Sequence, residues 1–189
     1  MTRLQRALTA AGLILAITQA GVPKSSAAEA NPQVGLTSSL ATFENTVIDM
    51  SADWATATAC AITPTGNRCY LDEEAMDLAE LQHTPGKAVA TGTSGISPAS
   101  SCATTLKLYT GASFTGSVVS LSTQATWINL SAYGIDNATS SYKVGACSSV
   151  FREGVAGTGS TYPGSTVAGA QATSMVTGWD NTVSSVRIN

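Results

Sequence analysis

Two short stretches hold most of the chemistry in this chain. Asp136-Asn-Ala-Thr-Ser-Ser141 is followed forty-four residues later by Asp180-Asn-Thr-Val-Ser-Ser185, the same DNxxSS pattern written twice. Between Cys102 and Asn189 the only acidic residues are Asp136, Glu153 and Asp180, so two of three scarce carboxylates open the two copies. A hard cation such as calcium takes six to eight oxygen ligands from carboxylates, amide carbonyls, hydroxyls, backbone carbonyls and water. Asp-Asn supplies the first two side by side, and Ser140 and Ser184 supply hydroxyls a few residues on. Magnesium suits the pattern less, because it demands tighter octahedral geometry. The plainer reading is that Asp-Asn makes a turn and Ser-Ser starts a strand. Repetition in register favours the metal.

The elements that must position these loops are also repeated. "KLYTGASFTGS" (107–117) aligns with "SVFREGVAGTGS" (149–160) if one residue is inserted, and "QAT" recurs at Gln124 and Gln171. Three matches kept in order indicate two copies of one unit. From Cys102 onward short β-branched and aromatic runs alternate with Gly, Ser, Asn and Asp, and Leu106 and Leu108 alternate with Lys107 and Tyr109. That texture predicts an all-β sandwich or barrel with no helix of useful length. Each unit has room for four short strands, the size of one Greek key.

Tyr109-x4-Phe114-x-Gly116 resembles the Greek-key signature of the βγ-crystallins, and DNATSS and DNTVSS both match that superfamily's calcium motif, N/D-N/D-x-x-S/T-S, at every fixed position. The resemblance covers 102–189. It implies an all-β, βγ-crystallin-like double Greek-key sandwich with a pseudo-two-fold axis and paired calcium sites built from loops of both units. Carried over, Asp136, Asn137 and Ser140, then Asp180, Asn181 and Ser184, are the side-chain ligands, with backbone oxygens near Ala138 and Thr182. Ser141 and Ser185 hold the folded hairpins. The second unit departs from the pattern, with Gly157 and an extra residue where the first has Phe114, which predicts an irregular second hairpin. The same fold resembles that of microbial secreted metalloproteinase inhibitors. An inhibitor presenting 154–178 to a secreted protease is therefore the alternative reading. A third is a structural role against a cell-envelope or spore-coat polymer, with Trp54 and the amino-terminal region as the contact.

Residues 1–30 read as a secretory signal peptide: Arg3 and Arg6 precede an uncharged stretch from Ala7 to Val22, and small residues around Ala28 and Ala30 offer a cleavage site. Its removal leaves six basic and eleven acidic residues, a net charge of −5. That argues against nucleic acid or an anionic membrane as partner. The expected product is a secreted monomer. Four cysteines in an exported chain read as disulfides, for which Cys60 with Cys69 and Cys102 with Cys147 keep each pair within one region. Zinc is the competing reading, but it wants closer spacing and more His than His83 alone.

Residues 31–86 are expected to form a small amino-terminal region with one short helix, "LDEEAMDLAELQ", capped by Asp72 and stopped by Thr84-Pro85-Gly86. Before it, "CAITPTGNRC" reads as a disulfide-closed loop, and after it 87–101 reads as a linker. No enzyme is expected. There is no G-x-S-x-G elbow, the single His83 lies at the expected helix end outside the β domain, and adjacent Glu73 and Glu74 read as a solvated first turn rather than an acid/base pair. Trp127 and Trp179 read as core, whereas Trp54 has no evident structural place.

Overall fold

The computed structural model describes residues 38–83 and 104–189. The signal peptide, the helix stop at Thr84, the linker and Cys102 lie outside the described residues. The amino-terminal segment forms β1 (Leu40–Phe43), β2 (Thr46–Asp49), β3 (Ala59–Thr63), β4 (Gly66–Tyr70) and α1 (Glu73–His83). The rest forms β5 (Leu106–Gly111), β6 (Thr115–Leu121), β7 (Ile128–Asn129), β8 (Ser141–Lys143), β9 (Ser149–Arg152), β10 (Gln171–Ala172) and β11 (Ser185–Ile188). No described helix is long and apolar enough to cross a membrane.

Residues 104–189 form the double Greek-key sandwich expected, and its topology shows how the two units depend on each other. In the first unit β5 pairs with β6 and β8, but the third strand, β7, leaves to pair with β11. In the second unit β9 pairs with β11, while β10 crosses to pair with β8. Each unit thus lends its third strand to the other's sheet. The second-unit counterpart of β6 is reduced to one bridge, Arg152 with Thr161. Alternation along β5, β9 and β11 points Leu106, Leu108, Phe151, Val186 and Ile188 inward, all at most 3 % exposed. Tyr142 of β8 meets Phe151 of β9 edge to face at 5.0 Å, which joins the two sheets at the centre of the core.

The two composition zones share one sheet. β3 pairs in parallel with β6, from Ala59 opposite Val118 to Ile62 opposite Leu121, and the sheet runs β10-β8-β5-β6-β3-β4-β1-β2. A short β-branched strand such as β6 would otherwise leave a row of unpaired amides at an edge. The "CAITPTGNRC" segment is a β-hairpin rather than a loop, with Cys60 directly opposite Cys69 and the two joined by a buried disulfide. Cys147 is also disulfide-bonded. Trp54, unexplained by sequence, joins the amino-terminal segment to the first unit: its Nε1 donates to the carbonyls of Met50, 3.1 Å away, and Tyr133, 3.0 Å away. Gly134 (φ 69°) lies so close to the Met50 carbonyl that a Cβ would strike it.

Helix α1 begins as its sequence requires, with Asp72 Oδ1 accepting the Ala75 amide at 2.8 Å. Its first turn is not simply solvated. Glu73 Oε1 accepts hydrogen bonds from Lys107 Nζ at 2.8 Å and Tyr109 Oη at 2.6 Å, and Asp77 takes a second bond from Lys107. Helical spacing of four residues puts both carboxylates on one face, and they dock α1 on the outer side of the first sheet. Met76 goes under the helix with Ala59, Ala61, Val118 and Tyr109, so Tyr109, at an outward position of β5, is only 1 % exposed.

Burial pushes the Glu73 carboxyl up, but the Lys107 and Tyr109 hydrogen bonds and the charges of Lys107 and Lys143 outweigh it and leave it below the usual range. A depressed carboxyl contributes stability above its unfolded pKa that is lost as pH falls through the folded one. Acid titration below about pH 4.3 therefore releases α1 before the sandwich melts, seen as early loss of amide protection over 73–83; simultaneous loss in both regions contradicts this. Replacing Cys60 and Cys69 with Ala costs about 2–3 kcal/mol, measured by urea denaturation.

Candidate functional site

The DNxxSS loops are the two crossovers created by the strand exchange. Residues 130–140 carry the chain from β7 in the second sheet back to β8 in the first, and 173–184 carry it from β10 in the first sheet to β11 in the second. Both crossovers come to the same end of the sandwich, because each must return to strands its own unit has already placed. They are tied by reciprocal backbone bonds, from Asn137 N to the Val183 carbonyl and from Asn181 N to the Thr139 carbonyl, both 3.1 Å. Asn137 (φ 53°) and Asn181 (φ 55°) both take the left-handed conformation, which Asn tolerates better than most residues. That backbone turn points both amide side chains at the opposite loop.

Side-chain oxygens meet across the pseudo-two-fold. Ser184 Oγ lies 3.2 Å from Asn137 Oδ1, and Ser140 Oγ lies 3.4 Å from Asn181 Oδ1. Each pair takes its amide from one unit and its hydroxyl from the other. Within each loop the Asn amide nitrogen faces the preceding carboxylate, at 3.4 Å for Asp136 and 3.3 Å for Asp180. Asp136, Asn137, Asp180 and Asn181 are exposed, whereas Ser140 and Ser184 are buried at the base. Ala138 and Thr182 sit at the next position of each loop, half-buried.

These donors can be tested against a calcium shell. Two neighbouring ligands at the usual Ca–O length lie about 2.8–3.6 Å apart. The two cross-loop contacts fall inside that window. The donors are all oxygen, and among the described residues no group of three His, Cys, Asp or Glu is placed to hold a metal ion. That chemistry suits a hard cation and not one that seeks thiolate or imidazole. One carboxylate per constellation is the donor charge expected of a weak calcium site, one of about 10⁻⁵ to 10⁻³ M.

The other Ser of each motif has a different task. Ser141 Oγ donates to the Gly111 carbonyl at 2.6 Å and accepts the Phe114 amide at 3.0 Å; Ser185 Oγ does the same with the Gly154 carbonyl at 2.6 Å and the Gly157 amide at 3.0 Å. Both hydroxyls are fully buried under a folded hairpin. The second hairpin is as regular as the first. Ser113 (φ 55°, ψ 34°) and Ala156 (φ 51°, ψ 32°) are equivalent, and from residues 111–116 to 154–159 no insertion is present. The change is in what covers the hairpin. Phe114 packs edge to face on Tyr109 at 5.5 Å in the first unit, whereas in the second Trp127 lies against Gly157 so closely that a Cβ would clash. An aromatic supplied from elsewhere in sequence fills the place. Sequence alignment found the missing Phe but had no signal for its substitute.

The remaining candidates are also placed. Trp179 is half-buried against Tyr162, ring centroids 5.4 Å apart, and packs on the main core as expected. The segment 154–178 is largely exposed, but it is pinned by the Tyr162 ring stacked on Phe151 and by Thr166 Oγ1 on the Ser149 carbonyl.

No protein-family model matches the chain, and no curated protein matches it. Solved structures that match are βγ-crystallin domains. A βγ-crystallin from Ciona intestinalis is 19% identical with a TM-score of 0.38, the match covering 45% of this chain and 99% of that one. A βγ-crystallin domain from Flavobacterium johnsoniae is 19% identical with a TM-score of 0.37, covering 44% and 92%. One from an archaeon is 21% identical with a TM-score of 0.35, covering 45% and 96%.

Ser141→Ala and Ser185→Ala should each destabilise the protein by about 1–3 kcal/mol, because each leaves a buried carbonyl and a hairpin amide without partners. Equal losses in thermal melts check the equivalence of the hairpins. A negligible effect at Ser185 would mean that the second hairpin is held by other contacts.

Proposed function

We propose that this chain is an exported calcium-binding protein of βγ-crystallin-like fold, whose two ions fasten one Greek key to the other. The observation that carries the reading is the cross-loop pairing, Asn137 with Ser184 and Asn181 with Ser140. A repeated turn motif needs no such reciprocity; two ion sites shared by both units do. In this reading the first ion takes the Asp136 carboxylate, the Asn137 amide oxygen and the Ser184 hydroxyl, with a backbone oxygen near Ala138. The second takes Asp180, Asn181 and Ser140, with a backbone oxygen near Thr182. Water completes each shell.

The role is mainly structural. An ion that binds only the folded state at tenfold excess over its dissociation constant adds about 1.4 kcal/mol, a large share of a small domain's net stability. The expected secretory route supports calcium as the ion, since weak sites of this kind fill at extracellular concentrations.

A thermal melt in millimolar calcium should lie several degrees above one with chelator, and calorimetry should count two ions; identical melts would refute the reading. Asn137→Gly keeps the left-handed turn while removing the amide oxygen, and should remove one ion. Cross-loop sharing has its own signature. Asn137→Gly and Ser184→Ala should act on one site and be non-additive, whereas Asn137→Gly and Ser140→Ala should add. The opposite pattern would assign each site to a single loop.

A further inference from the structure

The internal pseudo-symmetry supplies a direct comparison between the outer faces of the two sheets. On the first, Lys107 faces Lys143 across β5 and β8, and Tyr109 faces Ser141. On the second, Val150 faces Arg187 across β9 and β11, and Arg152 faces Ser185. Tyr109 thus corresponds to Arg152 and Lys143 to Arg187. Each face carries two cations beside an aromatic ring: Lys143 Nζ lies 4.6 Å from the Phe114 centroid, and the Arg152 guanidinium lies 5.9 Å from that of Trp127.

Their coverage differs. The first face lies under α1, where Glu73 and Asp77 neutralise Lys107 and Glu73 approaches Lys143 at 3.9 Å. Over the second no described residue supplies a carboxylate. Arg152 Nη1 donates to the Gly159 carbonyl at 2.9 Å, and Arg187 has neither an ion pair nor a side-chain hydrogen bond among the described residues; the Nε of each is buried without an acceptor, which leaves the outer guanidinium nitrogens for a partner. Arg152, Arg187, Val150 and Trp127 are all half-exposed. The rest of the chain has little to offer this face, because residues 1–37 and 84–103 contain a single acidic side chain, Glu29.

We infer that the outer face of the β9–β11 sheet is a docking surface for an acidic helical segment of another protein, carrying carboxylates one turn apart as α1 does. Arg and Trp are the residues that gain most when such a contact excludes water, and a guanidinium binds a carboxylate with two parallel hydrogen bonds. Val150, where the first sheet has Lys107, adds an apolar centre. Extended polyanions are disfavoured by the chain's net charge of −3 and the small size of the patch. This inference is independent of calcium.

The test uses the full mature protein and a synthetic helical peptide with Glu and Asp four residues apart and Leu and Met between them, titrated at low salt by NMR. The expected result is saturable binding that shifts the Trp127 indole signal. Arg187→Gln should weaken it at least fivefold, 0.5 M salt should reduce it by a similar factor, and Lys107→Gln should leave it unchanged. Arg187→Gln touches no hydrogen bond of the fold, so its loss of binding does not reflect misfolding. No binding at millimolar peptide, or equal binding by the Arg187→Gln variant, overturns the inference. Equal affinity for a Gln/Asn version of the peptide overturns the acidic assignment. Self-association of the protein that Arg187→Gln abolishes would give the face to a second copy instead.

Discussion

A Greek key of four short strands cannot bury both sides of its own small sheet. In this protein the difficulty is met by exchange: β7 of the first unit lies in the second unit's sheet and β10 of the second lies in the first's. Neither sheet is complete alone, so the core between them, where Tyr142 meets Phe151, exists only when both units are folded. The exchange also creates the crossovers. A strand lent to the opposite sheet must be followed by a loop that brings the chain home, and the two homeward loops are the DNxxSS segments. Their meeting follows from the topology, and the reciprocal bonds between Asn137 and Val183 and between Asn181 and Thr139 are its local expression.

Within this frame one pair of adjacent serines performs two separate tasks. The first of each pair, Ser140 or Ser184, faces the opposite loop; the second, Ser141 or Ser185, goes under its own hairpin. Successive side chains at the start of a strand point to opposite sides. The motif needs Ser-Ser because both sides demand a small hydroxyl, one to meet the opposite loop's amide oxygen at the crossover and one as a buried clasp for left-handed backbone.

The amino-terminal segment completes surfaces that the sandwich leaves open. β3 covers the free edge of β6, Trp54 attaches the 49–54 turn to the Tyr133 carbonyl within the first crossover, and α1 brings two carboxylates to a face rich in lysine. These contacts combine parallel backbone pairing, one shared indole donor and charge neutralisation over a small apolar patch. The second sheet receives no equivalent cover from the described residues, and the asymmetry between two nearly symmetric faces is the main departure from the internal repeat.

Much of this was readable in advance, for definite reasons. Period-two alternation at Leu106 and Leu108 reports which side of β5 is buried, the repeated DNxxSS reports a duplicated loop, and Asp72 followed by two glutamates reports a helix start; each signal is local and survives without the fold. The hairpin clasp by Ser141 and Ser185 was legible through resemblance. Regularity of the second hairpin was not, because the aromatic that fills it, Trp127, lies thirty residues from Gly157. Nor was the burial of Tyr109, since alternation assigns a residue to a side of a sheet but cannot say what lands on that side. By itself, then, the sequence determined the strand class, the duplication and which oxygen-bearing side chains stand in the two loops, all of which depend on residues within a few positions of one another. Tertiary structure alone decided that Asn137 faces Ser184 rather than its own Ser140, that Glu73 meets Lys107, and that β3 joins β6. Each of those pairs is more than thirty residues apart, and only the path of the backbone through the exchanged sheets brings them within a hydrogen bond of each other.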